Sequence, residues 1–587
     1  MHRLWLIPNT DLTPLSAPSS NVRPLRVGLL IGSFEQPAWV TSLISDLTDA
    51  AFVDLALVIR NASPSAAMQP AAGPFARLGR WYANRHHLLF ALYERLDHRR
   101  FATLDDPLRI VDVSAALAHV PTIDVRPTET EFSDYFADTD VDRIREHDLD
   151  VAIRLGFRIL RGRALSVARY GVWSYHHGDN RVNRGGPPGF WEVMEMDPTT
   201  GCVLQILTEE LDAGRVIYRS LAATSVFSVT KNRAGYFWKS TAFVTRKLRD
   251  LYEEGPGSLC DPSASASGPQ AYSRRLYGTP KNRDLAPYLG RLVARYARQK
   301  IRDYTELNQW SLAYRFARTN VQGVVPDMTP FRFHEITPPR DRFWADPFPM
   351  RVDGRYHVLF EELEFKKPKG RICGLEIGPD GPVGEPVRVL DLPYHVSYPY
   401  TFEWQGDRFM IPESVANRTV ELYRAVRAPY EWKLDRVLLR DVSLVDASVV
   451  EIEGLWWMFA GAVARGGSRG DELNLYYADS PLGPWHPHRR NPVLSDVRHS
   501  RPAGRPFEID GRWYRPAQDC SNRYGYAISL QRIVRLNPGE YQDETITRLT
   551  PDWNERAIAT HTINAIDGLT VISVQMRRRS LGLRNGR

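Results

Sequence analysis

Cysteine is scarce in this 587-residue chain. The four cysteines lie far apart and have no CxxC spacing; they are Cys202, Cys260, Cys373 and Cys520. Cysteines spaced in this way form neither a zinc framework nor a disulfide scaffold. We therefore expect no metal site and a reducing compartment.

Long hydrophobic runs are missing as well. No stretch approaches the roughly 18 consecutive apolar residues that a transmembrane helix needs. Near the N-terminus, only four apolar residues separate Arg3 from Pro8, which is too short for the core of a signal peptide. The sequence thus predicts a soluble, cytoplasmic protein.

The excess of positive charge is small. Lys and Arg number 76 against 69 Asp and Glu, which gives a net charge of +7. This excess is compatible with acidic small-molecule substrates but too dilute for a nucleic-acid-binding protein. A hydrophobic content of 43% and a charged content of 25% are typical of a globular chain.

Strand-like and helix-like patterns alternate through the first 250 residues. A buried-strand run from Arg26 to Ser33 precedes a segment with helical spacing from Pro37 to Leu47. Further strand patterns begin at Val53, Asp150 and Gly171. Such alternation predicts an α/β domain of Rossmann-like type, with a parallel sheet covered by helices on both faces.

The middle of the chain has a different composition. Residues 254–285 are rich in Gly, Ser and Pro, as in flexible linkers. Residues 287–303 follow with apolar residues at helical spacing among arginines. A helix docked between domains with a solvated basic face is favoured here, and a weak contact with a membrane surface through 287–303 stays open.

From about residue 330 the pattern becomes β. Hairpin-like segments recur at intervals of about 50 residues, as in the blades of a β-propeller. Their turn glycines are Gly354, Gly406, Gly454 and Gly511. We therefore predict three regions: an α/β domain (1–253), a linker with a basic helix (254–329) and an all-β, five-bladed propeller (330–587).

Polar residues follow the predicted strand at Gly171. In parallel sheets, ligands bind at the carboxyl ends of strands, so this segment is a candidate site. His176 and His177 could act as acid or base near neutral pH, and Asp212 could orient one of them.

Residues 26–250 resemble the folate-dependent formyltransferase domain shared by tRNA, purine-precursor and sugar formyltransferases. The segments that carry the resemblance are Gly32–Trp39, Asp150–Leu160, Ser174–Gly186 and Thr200–Ile217. The resemblance implies transfer of a formyl group from 10-formyltetrahydrofolate to an amine.

The family's residue roles transfer to this chain position by position. His176 and Asp212 match its catalytic His and Asp, whereas Ser174 stands where the family has Asn. A serine is a shorter oxyanion donor, and losing such a donor typically costs on the order of a hundred- to a thousandfold in rate. The residues that could compensate or support are His177, Asn180, Asn183 and Arg184.

The second half resembles the N-terminal domain of plant glucosamine inositolphosphorylceramide transferases, which is itself similar to five-bladed glycoside hydrolases of the arabinanase and fructosidase type. The matching segments are Phe343–Phe348, Ser397–Glu403, Met410–Ser414, Leu444–Ser448, Tyr477–Trp485 and Arg501–Phe507.

Those hydrolases gather acidic residues from successive blades in a central funnel. The matching positions here are Asp346, Glu413 and Asp446, with Arg505 and Asp519 as supporting groups. Hydrolysis, sugar recognition and a purely structural propeller all remain open, because an Asp such as Asp346 could simply cap a turn.

Three functional hypotheses follow. The first is a formyltransferase-like enzyme acting on an amino sugar, nucleotide sugar or glycan-linked amine, with the propeller binding the carbohydrate. The second is a carbohydrate-active enzyme, hydrolase or glycan-transfer protein, whose chemistry lies in the propeller and whose first domain is degenerate. The third is a polysaccharide-assembly protein that binds without turnover. The oligomeric state is left open.

Overall fold

The structure, a computed structural model, describes residues 23–63, 85–182, 184–209, 214–259, 275–317, 323–463 and 467–579. The chain divides into two compact units. Unit 1 comprises Met1–Ala294 with Arg465–Gly467, and unit 2 comprises Arg295–Ala464 with Ser468–Arg587. Each unit is described by itself.

Unit 1 is an α/β unit. Its helices are α1 (Ala38–Thr48), α2 (Leu88–Phe101), α3 (Asp138–Arg145), α4 (Phe190–Glu195) and α5 (Val229–Glu254), and α6 (Asn282–Thr305) runs from unit 1 into unit 2. Its strands are β1 (Leu25–Ile31), β2 (Glu35–Pro37), β3 (Val53–Asn61), β4 (Ile110–Asp112), β5 (Thr122–Val125), β6 (Thr128–Glu129), β7 (Ser133–Tyr135), β8 (Val151–Arg154), β9 (Ile159–Arg161), β10 (Val172–His176), β11 (Arg184–Gly185), β12 (Thr199–Ile206), β13 (Arg215–Ala223) and β14 (Leu276–Tyr277).

The main sheet of unit 1 has the order β13-β12-β10-β8-β1-β3-β5. Strands β10, β8, β1, β3 and β5 are parallel, and β12 and β13 run antiparallel at one edge. Strand β1 is almost wholly buried because the sheet packs on both faces, which explains its continuous apolar run. The predicted parallel sheet is confirmed, and His176 ends β10 at the sheet's carboxyl edge.

Unit 2 is all β apart from the end of α6 and two short 3-10 turns in its described residues. Its strands are β15 (Glu306–Phe316), β16 (His334–Ile336), β17 (Arg342–Val352), β18 (Arg355–Glu364), β19 (Lys367–Gly378), β20 (Gly381–Leu390), β21 (Ser397–Trp404), β22 (Asp407–Ser414), β23 (Thr419–Arg427), β24 (Glu431–Arg440), β25 (Leu444–Ile452), β26 (Leu455–Ala462), β27 (Glu472–Ala478), β28 (His486–Pro487), β29 (Phe507–Ile509), β30 (Arg512–Asp519), β31 (Ala527–Asn537), β32 (Glu540–Leu549), β33 (Ala557–Ile566) and β34 (Leu569–Arg579).

These strands form five four-stranded antiparallel sheets. Four contain consecutive strands: β17 to β20, β21 to β24, β25 to β28, and β29 to β32. The fifth has the order β16-β15-β34-β33, so the first strands of unit 2 pair with its last. This pairing ties the two ends of unit 2 together.

Each of the five sheets contains a hairpin of the same kind. A residue with positive φ is followed by a glycine with positive φ, as type I′ turns require. The turn pairs are Asp353–Gly354, Gln405–Gly406, Glu453–Gly454, Asp510–Gly511 and Asp567–Gly568. The four predicted hairpins are confirmed, and the pair at Asp567 adds a fifth that the sequence pattern did not reveal.

The predicted basic helix is present as α6. Leu285 is buried, and Leu289 and Leu292 pack with it against Phe190 and Trp191. None of the helices in the described ranges combines the length and apolar character needed to cross a bilayer.

Candidate active site

Three successive sheets of unit 2 carry the same irregularity in their first strands. The register shifts between Ala345 and Phe348, between Ser397 and Tyr400, and between Val445 and Ser448. A residue with positive φ lies inside each shift: Asp346 (φ 51°), Tyr398 (φ 44°) and Asp446 (φ 54°). Such conformations cost about 1–3 kcal/mol and cluster at functional sites, where bulges redirect side chains.

Asp446 forms a buried ion pair with Arg501. Arg501 Nε and Nη2 donate to the two carboxylate oxygens over 2.6 and 3.1 Å, and Gln518 Nε2 donates to Oδ2 over 2.9 Å. Both partners of the pair are almost fully buried. This bidentate geometry fixes the carboxylate and satisfies its charge.

Glu413 on β22 lies beside this pair. Its Oε2 is 3.6 Å from Arg501 Nη2, and its Oε1 is 3.8 Å from Arg469 Nη1. Burial, followed by the charge of Asp446, raises the pKa of Glu413 to about 8. Glu413 therefore retains its proton at neutral pH, as a general acid must.

Asp346 completes the group. Its Oδ1 accepts a 2.5 Å hydrogen bond from the Thr562 hydroxyl and lies 3.5 Å from His561 Nε2. Burial and the charge of Asp446 raise the pKa of Asp346 to about 7. His561 stacks on Trp310 with ring centroids 4.1 Å apart, and burial lowers its pKa to about 3, so this ring is neutral beside Asp346.

A fourth carboxyl group, Glu361 on β18, faces the same cluster. Burial and the charges of Asp346, Glu413 and Asp446 raise its pKa well above the usual range. His395 Nε2 lies 3.4 Å from Glu361 Oε1, and the Gly370 amide donates to His395 Nδ1 over 2.9 Å. Because Nδ1 accepts, the ring proton of neutral His395 sits on Nε2 and faces Glu361.

The structure thus brings together Asp346, Glu413 and Asp446, as the sequence suggested, and adds groups that sequence reasoning missed. The added groups are Glu361, His395, Tyr398, Arg501, His561 and Thr562. We call these nine residues the carboxyl cluster. The available signals were the motifs Ser397–Glu403 and Arg501–Phe507, which contain Tyr398 and Arg501.

Arg505 and Asp519, the predicted supporting groups, have other partners. Arg505 donates to the Thr401 carbonyl, and its guanidinium lies 5.8 Å from the Tyr400 ring centroid. Asp519 accepts from Ser521 and lies 3.2 Å from Arg548. In the described structure neither contacts the carboxylates of the cluster, because the supporting arginine is Arg501, four residues before Arg505.

In unit 1, the Ser174 hydroxyl is hydrogen-bonded to Arg154. Both Nε and Nη2 of Arg154 donate to Ser174 Oγ, over 2.9 and 2.8 Å, and the hydroxyl contacts the Tyr175 carbonyl at 3.2 Å. Nη1 of Arg154 donates to the Phe157 and Arg158 carbonyls. The hydroxyl that would replace an oxyanion-binding Asn is therefore part of a buried structural network.

The two histidines of unit 1 have different surroundings. His177 stacks on Phe237 with centroids 4.0 Å apart and packs against Trp39, and burial lowers its pKa to about 3. This environment holds a neutral packed ring. His176 instead lines a cavity of about 220 Å³ together with Arg154 and Gln205.

That cavity is below the roughly 300–1,000 Å³ typical of drug-sized ligand sites. Binding of 10-formyltetrahydrofolate therefore stays an untested prediction. None of the described residues donates a hydrogen bond to the buried side-chain oxygen of Asn180. Asp212, Asn183 and the side chain of Arg184 lie outside the described residues, so the proposed His176–Asp212 pair stays a prediction.

The second half of the chain is similar in sequence to known proteins. Residues 326–567 match the family model described as glucosamine inositolphosphorylceramide transferase 1, N-terminal. The protein of that name from Oryza sativa subsp. japonica is 37% identical over 205 residues, covering 34% of this chain and 27% of the relative. The Arabidopsis thaliana protein is 37% identical over 208 residues with the same coverages. The chain therefore spans about a quarter of the length of these curated relatives.

Solved structures give only distant similarities. Zg3597, a family 117 glycoside hydrolase from Zobellia galactanivorans, is 14% identical, with 46% of this chain and 90% of that chain covered and a TM-score of 0.30. Glycinamide ribonucleotide transformylase 1 from Symbiobacterium toebii is 14% identical, with coverages of 39% and 89% and a TM-score of 0.26. TM-scores this low establish neither a shared fold nor a shared function.

These findings correct the leading functional hypothesis. The matching family model and curated relatives are named for transfer of a glycan component, not of a formyl group. The interpretation of the protein as a one-carbon transferase acting through formyltetrahydrofolate is therefore wrong. The resemblance of the second half to the plant transferase N-terminal domain is confirmed.

Proposed function

We propose that unit 2 is a carbohydrate-active domain that breaks or transfers a glycosidic bond at the carboxyl cluster. The observation that carries the proposal is that three neighbouring carboxyl groups differ in their ion pairing and in their pKa values. Asp446 is paired with Arg501, whereas Glu413 and Asp346 have pKa values raised to about 8 and about 7. Carboxyl groups in such different environments are what acid–base chemistry on glycosides uses.

The roles follow from these environments. Glu413, protonated at neutral pH, donates its proton to the glycosidic oxygen as the bond to the sugar carbon breaks. Asp346, in its ionised form, accepts the proton of the attacking hydroxyl, from water in hydrolysis or from an acceptor sugar in transfer. Asp446 orients Glu413, and Arg501, which is paired with Asp446, places its guanidinium 3.6 Å from Glu413 Oε2.

The arrangement of the sheets supports a propeller as the scaffold. We infer that the five four-stranded sheets are its blades and that the β15–β34 pairing closes the ring, because equivalent first-strand positions then converge on one axis. Asp346, Tyr398 and Asp446 occupy such equivalent positions.

The names of the relatives suggest the substrate class. They contain glucosamine and inositolphosphorylceramide, so we propose a glycan carried on a phosphorylated lipid as the substrate of unit 2. Because the chain covers only about a quarter of each relative, the activity of the whole relative is not assigned to it.

The test is turnover by the full chain with nitrophenyl glycosides of glucosamine and with glucosaminylated inositolphosphorylceramide. Glu413→Gln and Asp346→Asn should each lower kcat by about 10²–10⁴-fold, the usual contribution of general acid–base catalysis. Glu451→Gln, at an exposed position on β25, is the matched control and should leave the rate unchanged. Equal activity of all three variants would disprove the assignment.

A second candidate is sugar recognition without turnover. It is favoured by the low exposure of the cluster, since Asp346, Glu361, Glu413 and Asp446 are each at most 6% exposed. In that case the parent chain would bind these glycans in calorimetry without cleaving them, and Asp346→Asn would bind equally well.

A further inference from the structure

Helix α6 has an unusual charge composition along most of its length. From Leu285 to Arg302 the helix contains no Asp or Glu. Its basic residues in that span are Arg291, Arg295, Arg298, Lys300 and Arg302. This segment therefore carries a local positive field, although the chain as a whole is nearly balanced.

The charged and apolar residues lie on different faces of the helix. Four arginines are separated by steps of four, three and four residues, which places them on one face. They are Arg291, Arg295, Arg298 and Arg302. Val293, Ala297, Ile301 and Tyr304 follow steps of four, four and three on another face, more than a quarter turn away. The helix thus has an apolar stripe on one face and a row of arginines on another.

The described residues leave the apolar stripe largely uncovered. Leu285 is buried, and Leu289 packs with it against the α4 cluster, so the first half of α6 is a core helix. Along the stripe, by contrast, Val293 is 68% exposed, Ile301 62% and Tyr304 69%. Contiguous apolar side chains at such exposure mark an interaction surface rather than a core.

We propose that this stripe lies on an anionic lipid bilayer. An interfacial helix buries its apolar face at the boundary between headgroups and acyl chains, while arginines on the other face attract anionic lipids. Tyrosine favours this boundary, because its ring is apolar and its hydroxyl stays wet. From Arg291 to Tyr304 the helix carries five basic residues against the single acidic residue Asp303, so this segment is complementary to a negative surface.

The position of the helix in the chain links this surface to the carboxyl cluster. Helix α6 ends at Thr305 and continues directly into β15, whose Trp310 stacks on His561 beside Asp346. A helix lying on the membrane would hold the cluster near lipid headgroups. The proposal goes beyond the proposed function, and flotation measures it without turnover, so either can fail alone.

The test is flotation of the full chain with phosphatidylcholine vesicles, with and without phosphatidylserine. We expect binding to the anionic vesicles alone and its loss in high salt. Arg298→Gln/Arg302→Gln should lower the partition coefficient by about thirtyfold, and Ile301→Ser/Tyr304→Ser by at least about tenfold.

Control variants change exposed residues of the same kind elsewhere in unit 2. Val534→Ser/Ile546→Ser removes exposed apolar side chains from β31 and β32, and Arg355→Gln/Arg427→Gln removes exposed arginines; both should bind as the parent does. Binding that is absent, independent of lipid charge, or unaffected by the α6 changes would overturn the proposal. So would self-association that Ile301→Ser/Tyr304→Ser abolishes, because the stripe would then be an interface between copies.

Discussion

At the scale of single residues, burial determines the protonation of the carboxyl cluster. Burial is the largest influence on the pKa of Asp346, Glu361 and Glu413, and neighbouring carboxylates add to it. Only Arg501 is buried with them as a counter-charge among the described residues. The folded state therefore favours protonated carboxyl groups here, at a pH where the unfolded chain would ionise them.

This preference gives a prediction for stability. The folded pKa of Glu413, about 8, is above the ordinary value of 4.5, so its stabilising contribution is complete below about pH 4.5 and is lost as the pH rises through 8. Glu413→Gln removes this dependence. Between pH 5 and pH 8 the variant should gain at least about 1.4 kcal/mol relative to the parent, the value of one pKa unit. This corresponds to about 2–4 °C in Tm.

The measurement is Tm of the full chain by calorimetry at pH 5 and pH 8, with Glu451→Gln as the control. The exposed control should change in parallel with the parent. A Glu413→Gln curve that also runs parallel to the parent would show that this carboxyl group ionises normally in the folded state.

At the scale of elements, the hairpin turns depend on backbone conformation. Gly454 has φ 81°, and a Cβ added there would meet no atom within 4 Å. Gly454→Ala should therefore destabilise unit 2 through left-handed strain alone, by about 1–2 kcal/mol. Gly454→Asn should cost less, because Asn tolerates this conformation.

Substitution of Gly290 by Ala is expected to have the opposite effect on stability. Gly290 lies inside α6, also with open space around its Cβ position, and Gly290→Ala should stabilise the helix by about 0.5–1 kcal/mol. Urea unfolding of the three variants tests the pair of expectations. If both alanine variants shift stability in the same direction, backbone conformation is not the cause.

Features encoded locally were predictable from the sequence. The hairpins depend on short turn motifs, and the parallel sheet on apolar runs, so both could be read from neighbouring residues. Asp346 and Asp446 were found because their motifs are short and contiguous.

Side-chain contacts that depend on how distant strands pair were not predictable from the sequence. Thr562 reaches Asp346 across 216 residues of sequence. Ser174 meets Arg154 because β10 and β8 place them opposite each other, which no single segment reveals. The choice between Arg501 and Arg505 likewise depends on which side chain points to Asp446. In unit 1, motifs suited to a parallel sheet suggested an activity that the comparisons contradict, since a fold does not determine function.

At the scale of the whole molecule, every hydrophobic cluster of the described residues draws on one unit only. The cluster around Phe190, Trp191 and Leu285 belongs to unit 1, and the cluster around Tyr398 and Met458 belongs to unit 2. Two units with separate cores are expected to unfold separately.

The Gly/Ser/Pro-rich stretch at 254–285 predicts where a protease cuts first, because the composition of its residues 260–274 offers little apolar surface to bury. Trypsin should cleave after Arg274 or Arg275 before it cleaves elsewhere. The two fragments should nevertheless elute together on size exclusion, because Leu285 on the second fragment is buried against α4 on the first. Leu285→Asp should let the fragments separate, whereas Leu276→Asp, at an exposed position, should not. A first cut outside residues 254–285, or separation of the unmodified fragments, would contradict this organisation.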